Sequence, residues 1–165
     1  LEVESLRIGH GFDAHRFSED RKLFLGGVEI EYHQGLLGHS DADVLIHSMI
    51  DALLGAAGLG DIGMRFPDTD PAYKGISSRE LLSDVISEVK SHGFSISNVD
   101  VTIMAQKPKI GLYREQMVTT LSRIIGIDTS RINIKATTTE GMGFVGREEG
   151  IAASSVVLLE EAGDN

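Results

Sequence analysis

The sequence predicts one α+β domain, from three observations. Strand-like segments are grouped at the start of the chain, and strand-like and helix-like segments alternate later. Neither an internal repeat nor a linker interrupts them. The chain has 165 residues, 41% of them hydrophobic, enough for one domain with a real core.

In chain order, Leu6 to Phe12 alternates and reads as a strand. Residues 1–6 and 161–165 read as tails. Leu23-Phe24-Leu25 and Val28-Glu29-Ile30 flank Gly26-Gly27, the pattern of a hairpin with a two-residue turn. Gly35 to Gly38 reads as a loop. Ser40 is placed to cap a helix whose first turn holds Asp41 and Asp43, favourable near the positive end of the dipole. Val44, Leu45, Met49, Ala52, Leu53 and Ala56 continue it at helical spacing until Gly58. Asp61 to Pro71, with Gly63 and two prolines among polar residues, reads as a loop. Ser77 and Glu80 match a capping box, and the helix behind them runs through Leu81, Leu82, Val85, Ile86 and Val89 to a stop at Gly93. Val99, Val101 and Ile103 alternate with polar residues as a strand that Pro108 closes. Leu112 to Ile125 is a third helix, ended by Gly126. Ile132 and Ile134 mark another strand, Gly141 to Gly150 a glycine-rich loop, and Ile151 to Leu159 a closing strand.

Composition narrows the function. Asp and Glu number 25 against 15 Lys and Arg, a formal charge of −10. A nucleic-acid partner needs a basic footprint, so that class is excluded. A small anionic ligand remains compatible if metal ions, helix N-termini or backbone N–H groups cancel charge locally. With no cysteine, disulfides and thiolate metal sites are excluded. No apolar run reaches the roughly 18 residues that cross a bilayer. Leu1 to Leu6 carries two glutamates and no basic region, unlike a signal peptide. A cytoplasmic enzyme fits these features. Glycine, 19 residues, exceeds the usual share of about 7%; it implies tight turns or places where backbone approaches a ligand.

Two constellations carry chemistry. Asp13 and His15 lie two apart, so on an extended segment they point to one face and can reach one ion. Oxygen and nitrogen donors of this kind suit zinc. Asp43, His47 and Asp51 follow at helical spacing, with His47 a plausible third ligand and Asp43 or Asp51 placed to orient its ring. A solvated acidic face with a surface histidine is the bland alternative. Three protein ligands would leave a fourth position open, the mark of a catalytic zinc. His10 falls on the opposite face of the same segment and reads as structural; His33 and His92 read as loop and helix-end residues. The second constellation is Lys135-Ala136-Thr137-Thr138-Thr139-Glu140-Gly141, where hydroxyls and N–H groups face phosphate oxygens and Glu140 suits a hard cation such as Mg²⁺. A plain threonine-rich strand is its alternative. Walker A and G-x-S-x-G patterns are absent; the letters G-x-G-x-x-G occur at Gly58–Gly63 and Gly141–Gly146, but the first follows a helix pattern and the second opens no helix pattern, so neither has the strand–turn–helix context of a dinucleotide site.

The ordered set of blocks resembles the 2-C-methyl-D-erythritol 2,4-cyclodiphosphate synthase family. The blocks are Arg7 to His15, Gly38 to Asp43, Asp51 to Gly55, Gly60 to Gly63, Phe66 to Asp70, Asn98 to Thr102, Ala105 to Lys109, Lys135 to Glu140 and Gly143 to Arg147. The resemblance implies a mixed β-sheet with helices packed on one side, assembled as a homotrimer with active sites between subunits. It implies zinc on Asp13, His15 and His47, and magnesium or manganese on Glu140. His39 and Thr138 would stabilise the transition state. Ser40, Asp61, Ile62, Gly63, Phe66, Pro67, Asp68, Thr69 and Asp70 would hold the methylerythritol phosphate part of the substrate, and Asp13, Ala14, His15 and His39 would bind substrate as well. Ala105, Gln106, Lys107, Pro108, Lys109, Ile110 and Gly111, with Thr137, Thr138, Thr139 and Glu140, would hold its cytidine diphosphate. Phe144 and Arg147 would line a central cavity able to take an isoprenoid diphosphate.

The implied reaction is intramolecular phosphoryl transfer with loss of CMP, in the non-mevalonate route to isoprenoid precursors. It suits an acidic protein that neutralises a polyanion with ions, N–H groups and a few lysines. A metal-dependent phosphoesterase and a non-catalytic trimeric binder of isoprenoid phosphates are the competing readings.

Overall fold

The computed structural model describes residues 5–162. Strand β1 (Leu6–Ser18) runs antiparallel to the last strand, Gly150–Glu161, with Leu6 opposite Glu160 and Arg16 opposite Gly150. The intervening elements are the hairpin strands β2 (Leu23–Leu25) and β3 (Val28–Ile30), the two-residue β4 (Gly35–Leu36), and helices α1 (Val44–Ala57), α2 (Ile62–Arg65) and α3 (Ser78–Ser91). Strand β5 (Phe94–Met104), helix α4 (Arg114–Ile125), strand β6 (Ile132–Thr137) and the one-turn α5 (Gly143–Gly146) lead into the final strand, β7. The main sheet has the order β4-β1-β7-β5-β6. Only β5 and β6 are parallel within it, and α4 supplies the crossover such a pair needs. The sheet is therefore mixed, as the resemblance implies.

Helix α1 lies across β1 and β7 at unusually short range. A Cβ on Gly9 would stand 1.9 Å from the Ala52 carbonyl oxygen, and one on Gly11 1.8 Å from that of Ser48. Only glycine lets the strand take helix backbone directly against it. On the helix side, Ser48 reaches Ser155 at 2.6 Å between hydroxyl oxygens. Part of the glycine excess thus serves helix-on-strand packing, a use distinct from turns and ligand loops. Leu45, Met49, Leu53, Leu82, Val85, Val101, Ile103, Val157 and Leu159 are fully buried between sheet and helices. The other face of the sheet is bare: Ile8 is 74% exposed, Phe12 53% and Val156 38%. Among the described residues, helices cover one side only.

The hairpin forms in the expected register, Leu23 opposite Ile30, with positive φ at both Gly26 and Gly27 as a tight two-residue turn requires. Several expected boundaries move. Asp43, rather than Ser40, caps α1: its carboxylate accepts the Ile46 N–H at 3.0 Å and the turn N–H groups of Gly26 and Gly27 at 3.0 and 2.7 Å. Two carboxylate oxygens satisfy three donors where a serine hydroxyl could serve fewer. Ser77 caps α3 through the Arg79 N–H, while the Glu80 N–H goes to the Ser77 carbonyl. Strand β1 continues past Phe12, because Asp13 and His15 occupy inward positions where apolar residues would mark the alternation. Strand β5 starts five residues before Val99; a shift in pairing between Ile96 and Asn98 breaks its period. The Asp61–Pro71 loop contains α2, and the Gly141–Gly150 loop contains α5, both too short to show periodicity. Gly35 and Leu36 pair with Ser18 and Phe17. Gly111–Tyr113 forms a 3₁₀ turn ahead of α4. Leu6 and Glu161, read as tail residues, belong to paired strands; residues 1–4 and 163–165 of those tails lie outside the described residues. No helix among the described residues is long and apolar enough to cross a membrane.

Candidate metal centre and substrate cavities

Asp13 and His15 share the helix-facing side of β1, as the two-residue period demands. The close seating of α1 brings His47 onto them. Asp13 Oδ2 lies 2.8 Å from His15 Nε2 and 3.2 Å from His47 Nδ1, and the two ring nitrogens are 3.2 Å apart. Among the described residues, these three form the one cluster of His, Asp or Glu ligand atoms within 4.8 Å of one another.

The protonation pattern favours a cation. His15 Nδ1 donates to the Leu37 carbonyl at 2.8 Å, and a carbonyl only accepts, so Nε2 turns a bare lone pair toward Asp13. Lone pairs packed this closely repel unless a proton or metal ion lies between them. Tetrahedral ligation with bonds of about 2.0 Å gives edges of about 3.3 Å, close to the spacings seen here. Burial alone would push the Asp13 carboxyl up; hydrogen bonds and charge from His15 and His47 outweigh it and hold it at about 2. Burial pulls His15 down, but the Asp13 carboxylate and the Leu37 carbonyl outweigh that and raise its pKa. Both shifts express the same demand for positive charge between these atoms.

The triad opens into a cavity of about 480 Å³ that also exposes His39, Ser40, Ile62, Gly63, Phe66, Pro67 and Asp68. Gly38, Tyr73 and Leu81 line it as well, although none of them was expected to bind substrate. Arg21 holds the rim, donating to the Gly38 and Ser40 carbonyls at 3.1 and 2.6 Å. His39 Nε2 donates to the Asp70 carbonyl at 3.2 Å. Other expected residues shape the wall instead of facing inward. Asp61 caps α2, accepting the Met64 N–H at 2.8 Å, and Asp70 caps the Pro71–Tyr73 turn. Thr69 is exposed and absent from the cavity lining. Ala14 is exposed on the opposite face of β1.

Two expectations about His47 are corrected. Asp43 is engaged at the α1 cap and the hairpin turn. Asp51, whose pKa burial raises, accepts the Ile62 N–H at 2.7 Å and so anchors α2. Neither orients the ring. His47 Nε2 instead meets the hydroxyls of Ser40 at 3.0 Å and Ser78 at 2.9 Å. His10 stands apart from the triad as expected, bonded to Ser154 on the exposed side of the sheet. His92 sits at the C-cap of α3 and His33 packs on Tyr32.

A second cavity, about 420 Å³, gathers Ala105, Gln106, Pro108, Lys109, Ile110 and Gly111 with Thr137 and Thr138, and adds Leu112, Arg114 and Ala136. Its flank is ordered by local bonds. Thr139 donates to the Met142 carbonyl at 2.6 Å, Thr138 Oγ1 accepts the Glu140 N–H at 3.3 Å, and Lys107 pairs with Glu148 at 3.5 Å. Glu140 is exposed in a left-handed conformation. Phe144 on α5 is half-exposed, and Arg147 pairs with Glu149 at 3.0 Å. The two cavities share no lining residue: His39 faces one and Thr138 the other.

Comparison with known proteins places this architecture. The YgbB family model matches residues 6–160. The 2-C-methyl-D-erythritol 2,4-cyclodiphosphate synthases of Clostridium acetobutylicum and Geotalea uraniireducens are each 58% identical, over 93% and 94% of this chain and 99% of each relative. The bifunctional IspDF of Campylobacter jejuni superposes with a TM-score of 0.93 at 47% identity over 96% of this chain, which spans 43% of that longer one. The CDP complex of Plasmodium falciparum IspF gives a TM-score of 0.84 at 33% identity, over 98% of this chain and all of that one. A 2C-methyl-D-erythritol-2,4-cyclodiphosphate synthase in its CDP-bound form gives 0.86 at 39% identity, over 93% and 99% of the two chains.

Proposed function

Because the chain belongs to the YgbB family, we propose that it is a cyclising enzyme, converting 4-diphosphocytidyl-2-C-methyl-D-erythritol 2-phosphate into 2-C-methyl-D-erythritol 2,4-cyclodiphosphate and CMP. This is the metal-assisted cyclisation step of the methylerythritol phosphate route to isoprenoid precursors, a phosphorus–oxygen lyase reaction. The observation that carries the reading is the Asp13–His15–His47 cluster opening into a cavity beside His39 and Ser40.

An oxygen of the 2-phosphate attacks the β-phosphorus of the same molecule. The bond from that phosphorus to the bridging oxygen breaks, and its electron pair leaves with CMP. The attacking oxygen is already anionic, so no general base is needed; the protein must align two anionic groups and stabilise developing charge. Asp13 Oδ2, His15 Nε2 and His47 Nδ1 would hold a divalent ion, zinc by their donor set, and Glu140 would hold magnesium or manganese together with substrate phosphates. Such ions supply charge neutralisation at the phosphates. Thr138, and His39 once its Nε2–H turns from the Asp70 carbonyl to the substrate, would donate hydrogen bonds that strengthen as charge moves onto the transferring oxygens. Ser40, Ile62, Gly63 and the Phe66–Asp70 segment enclose the methylerythritol part and exclude water, whose attack would give a linear product. Ala105 to Gly111 and Thr137 to Glu140 take the cytidine diphosphate; the CDP-bound structures of relatives support a ligand of that kind.

One substrate must touch both cavities. Their separation in the single chain supports a homotrimer in which the metal cavity of one subunit meets the nucleotide cavity of its neighbour. The bare apolar sheet face around Ile8, Phe12 and Val156 supports packing against copies of itself. Phe144 and Arg147 line the central cavity of that assembly and admit an isoprenoid diphosphate. The enzyme works in the cytoplasm, or in a plastid stroma after removal of a transit segment.

Phosphorus NMR of the diphosphocytidyl substrate incubated with the protein tests the reaction. The expected products are a cyclic diphosphate and CMP, abolished by a chelator and restored by zinc with magnesium. A linear phosphate would overturn cyclisation in favour of hydrolysis.

A further inference from the structure

We infer that Asp41 and Ser78 form a buried relay that holds His47 in its Nδ1-ligating tautomer, making Ser78 a positioning residue for the metal centre; the inference rests on the metal-site reading above. Ser78 is the first residue of α3 and is fully buried. Its hydroxyl lies 2.9 Å from His47 Nε2 and is also bonded to Asp41 Oδ1. Asp41 is itself fixed: Oδ2 accepts the Ser78 N–H at 3.0 Å, and Oδ1 accepts the Asp43 N–H at 3.1 Å. An anion in that place is favoured by the α3 N-terminus.

The direction of the protons follows. A carboxylate only accepts, so the Ser78 hydroxyl proton is committed to Asp41. The Ser78 oxygen then offers His47 nothing but lone pairs. His47 Nε2 must therefore carry the ring proton, which leaves Nδ1 bare and facing Asp13 and His15 at 3.2 Å each. Ser40 cannot make this choice. Its hydroxyl, 3.0 Å from the same Nε2, accepts the Ala42 N–H at 3.2 Å and keeps a proton free to donate either way. The relay also ends on the Asp41 carboxylate, the kind of outer partner that fixes the tautomer and ring orientation of metal-bound histidines. It ties a ligand on α1 to the start of α3, a connection made by no other polar contact of His47.

The test uses the full-length protein and zinc itself. Zinc affinity is measured by competition with a chromophoric chelator for wild type, Ser78→Ala and Asp41→Asn, with folding followed by circular dichroism. Nitrogen-15 NMR of the His47 ring in the metal-free protein at mildly alkaline pH reports the tautomer. The relay predicts Nε2–H in the wild type, and a loss of zinc affinity of about 10- to 100-fold with mixed tautomers in Ser78→Ala. Asp41→Asn, which keeps an acceptor but loses the charge, falls between. A folded Ser78→Ala that binds zinc as tightly as wild type and keeps Nε2–H overturns the relay alone. Wild-type His47 protonated at Nδ1 overturns it even if Ser78→Ala does not fold. A wild type that takes up no zinc overturns the metal reading and the relay with it.

Discussion

His15 turns a bare nitrogen toward Asp13 because the Leu37 carbonyl takes its other ring proton, and in the proposed relay Ser78 does the same for His47. In the proposed metal centre, the donor set would thus be prepared by groups that never touch the ion. Removing such an outer partner costs about 10- to 100-fold in metal affinity, so removing a ligand costs more. His47→Ala is expected to lose most of its zinc and nearly all turnover while remaining folded, since the side chain borders a cavity. Metal analysis after dialysis checks this; zinc per chain equal to wild type would remove His47 from the ligand set. Asp13 and His15 were legible in the sequence because a strand's period is two and puts them on one face. His47 was legible only as one member of a helical row. Its true partners were hidden: Ser78 lies 31 positions away, and the cap at Ser77 already explained a serine there. Asp43 and Asp51 share a helical spacing with His47, but spacing does not reveal that backbone N–H groups had already claimed both carboxylates.

At the scale of elements, the seating of α1 on β1 decides whether the ligands meet. Gly11→Ala would drive a Cβ to within 1.8 Å of the Ser48 carbonyl oxygen, a backbone atom that cannot swing aside. A destabilisation of about 3 kcal/mol or more is expected, at or above the usual range for overpacking. Gly55→Ala in the same helix is the control, since a Cβ there meets nothing within 4 Å; it should be neutral or stabilising by up to about 1 kcal/mol. Urea unfolding of the two variants separates them, and equal midpoints would contradict the close-packing argument. The hairpin was legible because glycine pairs and alternation agree. Strand β1 was cut short because its chemistry replaces apolar residues at inward positions, and β5 because its pairing shifts. Function and irregularity obscure an element by breaking the period that identifies it.

For the whole molecule, the α+β class was legible in the order of patterns, whereas the strand order was not. The last strand in sequence, β7, sits between β1 and β5, a non-local pairing that periodicity does not encode. Nor does it encode the division of the site into two cavities or the bare sheet face that supports assembly. These came from the fold, and they support the central proposal, that the metal half of each reacting centre and its nucleotide half belong to different subunits. Co-expression of two inactive chains tests it directly, one carrying His47→Ala and the other both Thr138→Val and Glu140→Ala. In random mixed trimers about a quarter of the interfaces would join an intact metal half to an intact nucleotide half, so cyclic diphosphate formation should return to about that fraction of wild type. Mixed trimers as inactive as either parent would contradict the claim and place both halves of the reacting centre within one chain.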